Sequence, residues 1–301
     1  MSVLRASPTS PVRRSLLAAA LAACALSASA FAAPFASERI TVTTQGTGSD
    51  VVLIPGMGSS PRVWAELMAA VPGHRYHLVK VNGFAGAPKS GNGAGAVVAP
   101  VAEEVARYMA ASGLKPTPVI GHSMGGTVTL MLAARHPEAV SRLMVVDMIP
   151  FLGQLFGPPG TTAQSIKPTA DAILARMQAA TPEARSASST AMIKSMVNTE
   201  AMRAGALDDS LTSDQDVVAR VYHELIVTDL APELGAIKAP ATVLFVTPPS
   251  VPLTEAQMTA VYQGAYASLK GAQIKYIPAS AHFIMWDQPA RFQAEVKAFL
   301  D

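Results

Sequence analysis

The chain is poor in cysteine, aromatics and charge: one Cys, 6% Phe, Trp and Tyr, and 15% Asp, Glu, Lys and Arg in 301 residues. A single thiol, Cys24, closes no internal disulfide and builds no thiolate metal centre, so packing must carry the stability. Beyond residue 32 the sequence has no cluster of Lys or Arg, and with it no electrostatic footprint for a nucleic-acid or acidic-polymer partner. What is plentiful is apolar. Half of the residues are hydrophobic, which at this length supports one large core and excludes a disordered or collagen-like chain.

Residues 1–32 differ from the rest. Arg13 and Arg14 precede an uncharged, Ala- and Leu-rich run from Ser15 to about Ala33, with small-residue cleavage patterns at Ala28-Ser29-Ala30 and Ala30-Phe31-Ala32. This is the layout of a bacterial-type signal peptide, and the expected product is periplasmic or secreted. A transmembrane anchor is the alternative, but the run is short and weakly apolar for one. Arg13-Arg14-Ser15-Leu16-Leu17 resembles a twin-arginine signal and Leu21-Ala22-Ala23-Cys24 a lipoprotein box, so three export routes stay open. No stable membrane insertion is expected unless Cys24 is lipidated. Arg5, Arg13 and Arg14 are among the 23 basic residues and none of the 21 acids lies in this segment, so its removal turns the net charge of +2 slightly negative.

Past residue 32, short β-rich runs (Ile40–Thr43, Val51–Ile54, His77–Val81, Pro118–Ile120, Leu143–Val146, Ala241–Val246, Gln273–Ile277) alternate with helical apolar spacing. The helical stretches are Arg62–Val71, Val97–Ala111, Thr127–Arg135, Glu255–Ser268 and Ala290–Leu300. The alternation predicts an α/β fold, a mostly parallel central sheet flanked by helices, in residues 33–148 and 235–301. Residues 149–234 break the rhythm with helical segments and no convincing strand, and predict a helical cap insertion. Its prolines, Pro150, Pro158, Pro159, Pro168 and Pro182, are expected at helix starts and in loops. The loop Gly83–Gly95 is either plain surface or part of a site.

The chemistry centres on Gly121-His122-Ser123-Met124-Gly125-Gly126, which follows one strand and precedes a helix and satisfies G-x-S-x-G. On so sharp a turn, side chains two positions either side of Ser123 would collide, so Gly121 and Gly125 are required. The turn exposes the Ser123 hydroxyl and aims the Met124 N–H and the positive helix end at a developing oxyanion. A serine nucleophile needs a base within hydrogen-bond reach. Of six histidines, His282 in Ser280-Ala281-His282-Phe283-Ile284-Met285-Trp286-Asp287-Gln288-Pro289 lies between the last strand and the last helix. His122 is expected to orient the turn, His136 to end a helix, and His74, His77 and His223 to be surface, strand and cap residues.

These residues resemble the α/β-hydrolase family, which keeps its base where His282 stands. Members commonly show His-Gly-x-Gly and then a Trp after an early strand; here the sequence is Pro55-Gly56-Met57-Gly58 with Trp64. The resemblance implies Met57 as the second oxyanion N–H. Pro55 replaces the usual His, which keeps the backbone donor but leaves the loop's own hydrogen bonding in question. Most members carry an Asp after the penultimate strand, yet Thr247–Thr254 holds no carboxylate. Some members take the acid from the strand that ends at Asp147, which makes Asp147 the candidate. Alternatively Asp147 only binds loop amides, or Glu255 is the acid, although Thr254-Glu255-Ala256-Gln257 reads as a helix start with Gln at the third position.

The expected function is a serine hydrolase, carboxylesterase-like, cleaving a small-molecule ester that carries an apolar group, with no cofactor and no metal. Phe151, Leu152, Leu155, Phe156, Met177, Met192 and Met196 are either an apolar substrate pocket or cap core. A serine nucleophile argues against dehalogenase and epoxide hydrolase chemistry. Carbon–carbon bond hydrolysis, amidase and lactonase activity, and a non-catalytic binding protein on the same fold, stay open.

Overall fold

The computed structural model describes residues 1–3, 35–248 and 251–301. The apolar run from Ser15, its cleavage sites and Cys24 lie outside the described residues. Among those described, no helix is long and apolar enough to cross a membrane.

Phe35–Asp301 form one compact unit. Its elements in order are β1 (Ile40–Gln45), β2 (Ser49–Ile54), α1 (Ala65–Ala70), β3 (His74–Val81), α2 (Val98–Ala111), β4 (Thr117–His122), α3 (Met124–Arg135) and β5 (Val140–Val146). Then come α4 (Ala163–Gln178), α5 (Pro182–Met196), α6 (Glu200–Thr212), α7 (Gln215–Val227), β6 (Ala241–Phe245), α8 (Glu255–Ala265), β7 (Gln273–Tyr276), α9 (Ile284–Asp287) and α10 (Pro289–Leu300). All the strands and flanking helices read from apolar spacing are present. The seven strands form one sheet in the order β1-β3-β2-β4-β5-β6-β7, with β1 antiparallel to β3 and the other pairs parallel.

The central strands are apolar on both faces because successive side chains feed opposite layers. Val52, Ile54, Leu143, Val145, Val243 and Phe245 join α2, α3 and α8 on one side. Val51, Leu53, Met144, Val146 and Leu244 join α1 and α10 on the other. The order reverses direction between β2 and β4, and the crevice beyond the carboxyl ends of strands at such a switch is where open α/β sheets bind ligands.

Between β5 and β6 the structure has α4 to α7 and, among the described residues, no strand. Here α4 packs on α7 over Phe151, Ile166, Ala170 and Ile226, and α5 packs on α6. This helical insertion merges with the body: Val217, Val221 and Leu225 of α7 enter one core layer, and Ile193 and Ala206 of α5 and α6 the other. Pro182 begins α5 behind the capping Thr181, as expected. Pro168 does not mark a boundary; it sits inside α4. Its exposed position lets water serve the Gln164 carbonyl that loses its N–H partner, while Ile166 and Ala170 still bury the helix face.

One insertion contact compensates a local deficiency. The residue before α2 is Val97, which has no side-chain acceptor for the first helical N–H groups. Glu224 of α7 supplies it, taking the Val97 N–H at 2.8 Å and the Val98 N–H at 2.7 Å. Glu224→Ala should lower stability by about 1–3 kcal/mol, because two donors lose their acceptor. Urea unfolding of the variant and the parent measures it, and an unchanged midpoint would refute the capping role.

Candidate active site

Ser123 is the residue between β4 and α3, and its backbone is at φ 54° and ψ −123°, a conformation L-residues rarely adopt. Two glycines make this turn possible. A Cβ on Gly121 would lie 2.1 Å from the Gly125 carbonyl oxygen, and one on Gly125 would lie 2.2 Å from the Ile54 oxygen. The turn is held because Ser123 N–H continues the sheet ladder to Val146 O at 2.9 Å. Gly56 is less tightly constrained, as a Cβ there would meet the side-chain atoms Ser123 Cβ and His122 Nδ1 at 3.1 Å.

Asp147 stands at the corresponding place one strand over. It follows β5, has φ 53°, and donates its N–H to Leu244 O of β6 at 2.7 Å. Its carboxylate is buried but provided for. Oδ1 accepts from Val246 N–H at 3.2 Å and from the Tyr262 hydroxyl at 3.1 Å, while Oδ2 is 2.6 Å from His282 Nδ1. Tyr262 is packed between Phe245 and Tyr266, and burial, with the Asp147 charge adding, pushes its hydroxyl well above the usual phenol range. It therefore stays a protonated donor.

His282 lies in the loop between β7 and α9. That loop is fastened by Asp287, whose carboxylate accepts from Ala281 N–H at 2.9 Å within the loop and from Thr199 N–H at 2.8 Å in the insertion. Phe283 N–H also reaches Met196 O at 3.1 Å. With Nδ1 engaged by Asp147, Nε2 is the free ring nitrogen. Ser123 and His282 line one small cavity of about 60 Å³ together with Gly56, Met57, Gly58, Ser59 and residues of α5 and α6. Among the described residues no hydrogen bond joins Ser123 to His282, though both line the same cavity.

His122 sits beneath this pair. Its Nε2 donates to the His282 carbonyl oxygen at 3.0 Å, and its ring packs 4.6 Å from the His282 ring and 4.8 Å from Phe283. Burial pushes the His122 imidazole well below its usual value, with the neighbouring His282 adding to the effect. The backbone N–H groups of Met57 and Met124 make no hydrogen bond to any described residue.

The family model for the alpha/beta hydrolase fold matches residues 51–218, more than half of the chain. The chain belongs to the alpha/beta hydrolase fold family.

Among curated relatives, the sn-1-specific diacylglycerol lipase ABHD11 of Mus musculus is 29% identical over 195 residues, covering 62% of this chain and 60% of that protein. The pimeloyl-(acyl-carrier protein) methyl ester esterase of Aeromonas hydrophila is 33% identical over 112 residues, covering 37% of this chain and 42% of that protein. The chain thus spans less than two thirds of the length of these relatives. The fold match extends further. An esterase of Exiguobacterium antarcticum superposes with a TM-score of 0.71 at 18% identity, over 87% of this chain and 95% of that one. The enol-lactonase of Burkholderia xenovorans LB400 gives 0.70 at 19%, over 87% and 96%.

Ser123, His282 and Asp147, read separately from the sequence of this alpha/beta hydrolase, fall at the same end of the sheet. Glu255 instead is exposed as the first residue of α8, inside a capping box of Thr254 and Gln257. Met192 and Met196 line the cavity. Phe151 and Leu152 belong to the core of the insertion, and Leu155 and Phe156 are exposed. The loop Gly83–Gly95 does not line the cavity; it packs on the insertion, with Gly86 N–H donating to Thr212 O and Ala85 N–H to Ser213 Oγ. Two site residues escaped the sequence reading. Tyr262 gave only helical apolar spacing, and Asp287, five residues after His282, carried no motif.

The depressed His122 imidazole has a consequence for stability. A group whose proton affinity falls on folding favours the native state above its ordinary value, near 6.5, and withdraws that support as pH falls through the folded value. Between about pH 7.5 and about pH 5.5 the parent should lose more stability than His122→Gln, by up to about 1.4 kcal/mol per pH unit. Urea unfolding at the two pH values decides; equal losses would contradict the buried neutral ring.

Proposed function

We propose that the protein is a serine hydrolase that cleaves a carboxylic ester of small acyl size through an acyl-enzyme on Ser123. The observation that carries this reading is the 2.6 Å contact of His282 Nδ1 with Asp147 Oδ2, beside a serine held on a strained strand-to-helix turn. In this reaction Ser123 Oγ attacks the ester carbonyl as His282 Nε2 takes its proton, and Asp147 holds the imidazole tautomer and stabilises the imidazolium. The Met57 and Met124 N–H groups bind the tetrahedral oxyanion. His282 then protonates the departing alcohol, and water, activated the same way, releases the acid.

The substrate class follows from the cavity. Met192, Ile193, Met196, Ala206 and Phe283 make its wall apolar, Ser59 and Ser210 add hydroxyls, and its volume suits a short acyl group. The family's relatives include an esterase and a lipase by name, which supports hydrolysis as the reaction class. The pattern of residues 1–32 supports action outside the cytoplasm.

A fluorophosphonate probe should label the protein covalently and Ser123→Ala should abolish labelling; an unlabelled, folded parent would favour a binding role. Asp147→Asn should reduce kcat by about 10³-fold or more, with Glu255→Gln near parental. The reverse ranking would transfer the acid to Glu255. Against p-nitrophenyl esters, kcat/KM should be highest for acetate to butyrate and fall by about 10-fold or more for laurate. A preference for laurate would sink the small-acyl assignment.

A further inference from the structure

The loop that carries Met57 has little to hold it in place from within. Pro55 has no N–H, and the segment from Pro55 to Ser60 makes one backbone hydrogen bond of its own, Ser59 N–H to Gly56 O at 3.2 Å, closing a turn in which Gly58 has φ +66°. Besides local bonds to Ser60 from Arg62 Nε and Val63 N–H, its anchors come from the helical insertion, about 150 residues later in the chain.

The central anchor is Asp209 of α6, almost wholly buried against the loop. Its Oδ2 accepts from both Ser60 N–H at 2.9 Å and Ser60 Oγ–H at 2.7 Å. Its Oδ1 pairs with the Arg62 guanidinium at 2.6 Å, and Arg62 Nε donates to Ser60 Oγ at 3.1 Å. Four residues on, the Ser213 hydroxyl makes a 2.6 Å hydrogen bond to the Asp209 carbonyl and stands 3.4 Å from Gly58 O. Asp209 lines no part of the cavity, whereas Met57, Gly58 and Ser59 all do. Its carboxylate therefore touches the loop's exit and not the substrate.

We propose that Asp209 is a positioning residue of the reaction: through Ser60 and Arg62 it fixes the Gly56–Ser60 turn so that the Met57 N–H is aimed at the oxyanion. The arrangement couples the insertion to catalysis, because the side chain that sets the donor belongs to α6 and not to the sheet. This inference rests on the acyl-enzyme reading of Ser123. An oxyanion donor displaced by a fraction of an ångström keeps its ground-state contacts and loses much of its effect in the transition state.

The test is Asp209→Asn in the full-length protein, which preserves shape and one acceptor but cannot keep both the Ser60 pair and the Arg62 ion pair. The expected result is a fall in kcat of about 10- to 100-fold with KM within about 3-fold. Affinity for a boronic acid, which forms a tetrahedral adduct with an oxyanion, should fall by a comparable factor. Affinity for the uncharged product alcohol should stay within about 3-fold, a contrast that simple loosening of the fold would not produce. Ser60→Ala, which keeps the N–H bond and loses the hydroxyl bond, should move the same quantities in the same direction by less. It also provides the readout if Asp209→Asn does not fold. Parental kcat in both variants, or equal weakening of boronate and alcohol, would overturn the proposal. Ser123→Ala run alongside separates the two levels: hydrolysis that survives it removes the acyl-enzyme reading itself.

Discussion

The bond between Asp147 and His282 joins residues 135 positions apart, and most of the molecule can be derived from what it takes to make it. β5 must end where Asp147 can turn to φ 53°, and β6 must lie beside it so that Leu244 O and Val246 N–H hold the residue by its backbone and its carboxylate. β7 must then deliver the following loop to the same edge of the sheet. An imidazole whose Nδ1–H is held by a carboxylate has one tautomer, with Nε2 as its basic nitrogen. The parallel order of β4, β5, β6 and β7 brings the serine turn and the histidine loop to that nitrogen's side of the molecule.

Loops that leave the ends of strands have lost their ladder partners and need others. Here both site loops find them in the insertion. The histidine loop gives Asp287 to the N–H groups of Asn198 and Thr199, and the Met57 loop receives Asp209 from α6. The carboxylates run in opposite directions across the same seam. The helical segment is thus more than a roof over the cavity, since its backbone and one of its buried acids complete the hydrogen bonding of the loops beneath it. Such long-range pairs order groups that would otherwise be free to move, at an entropic cost offset by their burial and by the apolar contacts of Ile193 and Ala206 with the core.

The strands were legible because each is a short apolar run, and the mostly parallel sheet followed from alternation with helices, whereas the strand order came from the structure. Ser123 was legible because its turn demands glycines at fixed offsets, and His282 because it follows the last strand. Asp147 was a candidate because it ends a strand from which some members of the resembled family take the acid, once the stretch Thr247–Thr254 proved to lack a carboxylate. Pro168 misled, since a proline rule for helix interiors weakens where the freed carbonyl meets water. Tyr262, Asp287 and Asp209 were not legible at all. Each acts through a partner 80 or more residues away, and no local pattern encodes such a pairing.

The empty acid position after β6 admits a physical account. A buried carboxylate must have its lone pairs satisfied, or it takes up a proton or reorients. Oδ1 of Asp147 has two donors, one from the backbone at the end of β6 and one from Tyr262 on α8, so the group cannot rotate without breaking both. That leaves Oδ2 to the imidazole alone. Tyr262 cannot become a competing anion, because burial and the same carboxylate hold its proton in place. The end of β6 still serves the site through its Val246 N–H. In the proposed reaction, an acid at Asp147 therefore needs only a donor at the end of β6 and a phenol behind it, and the chain supplies both.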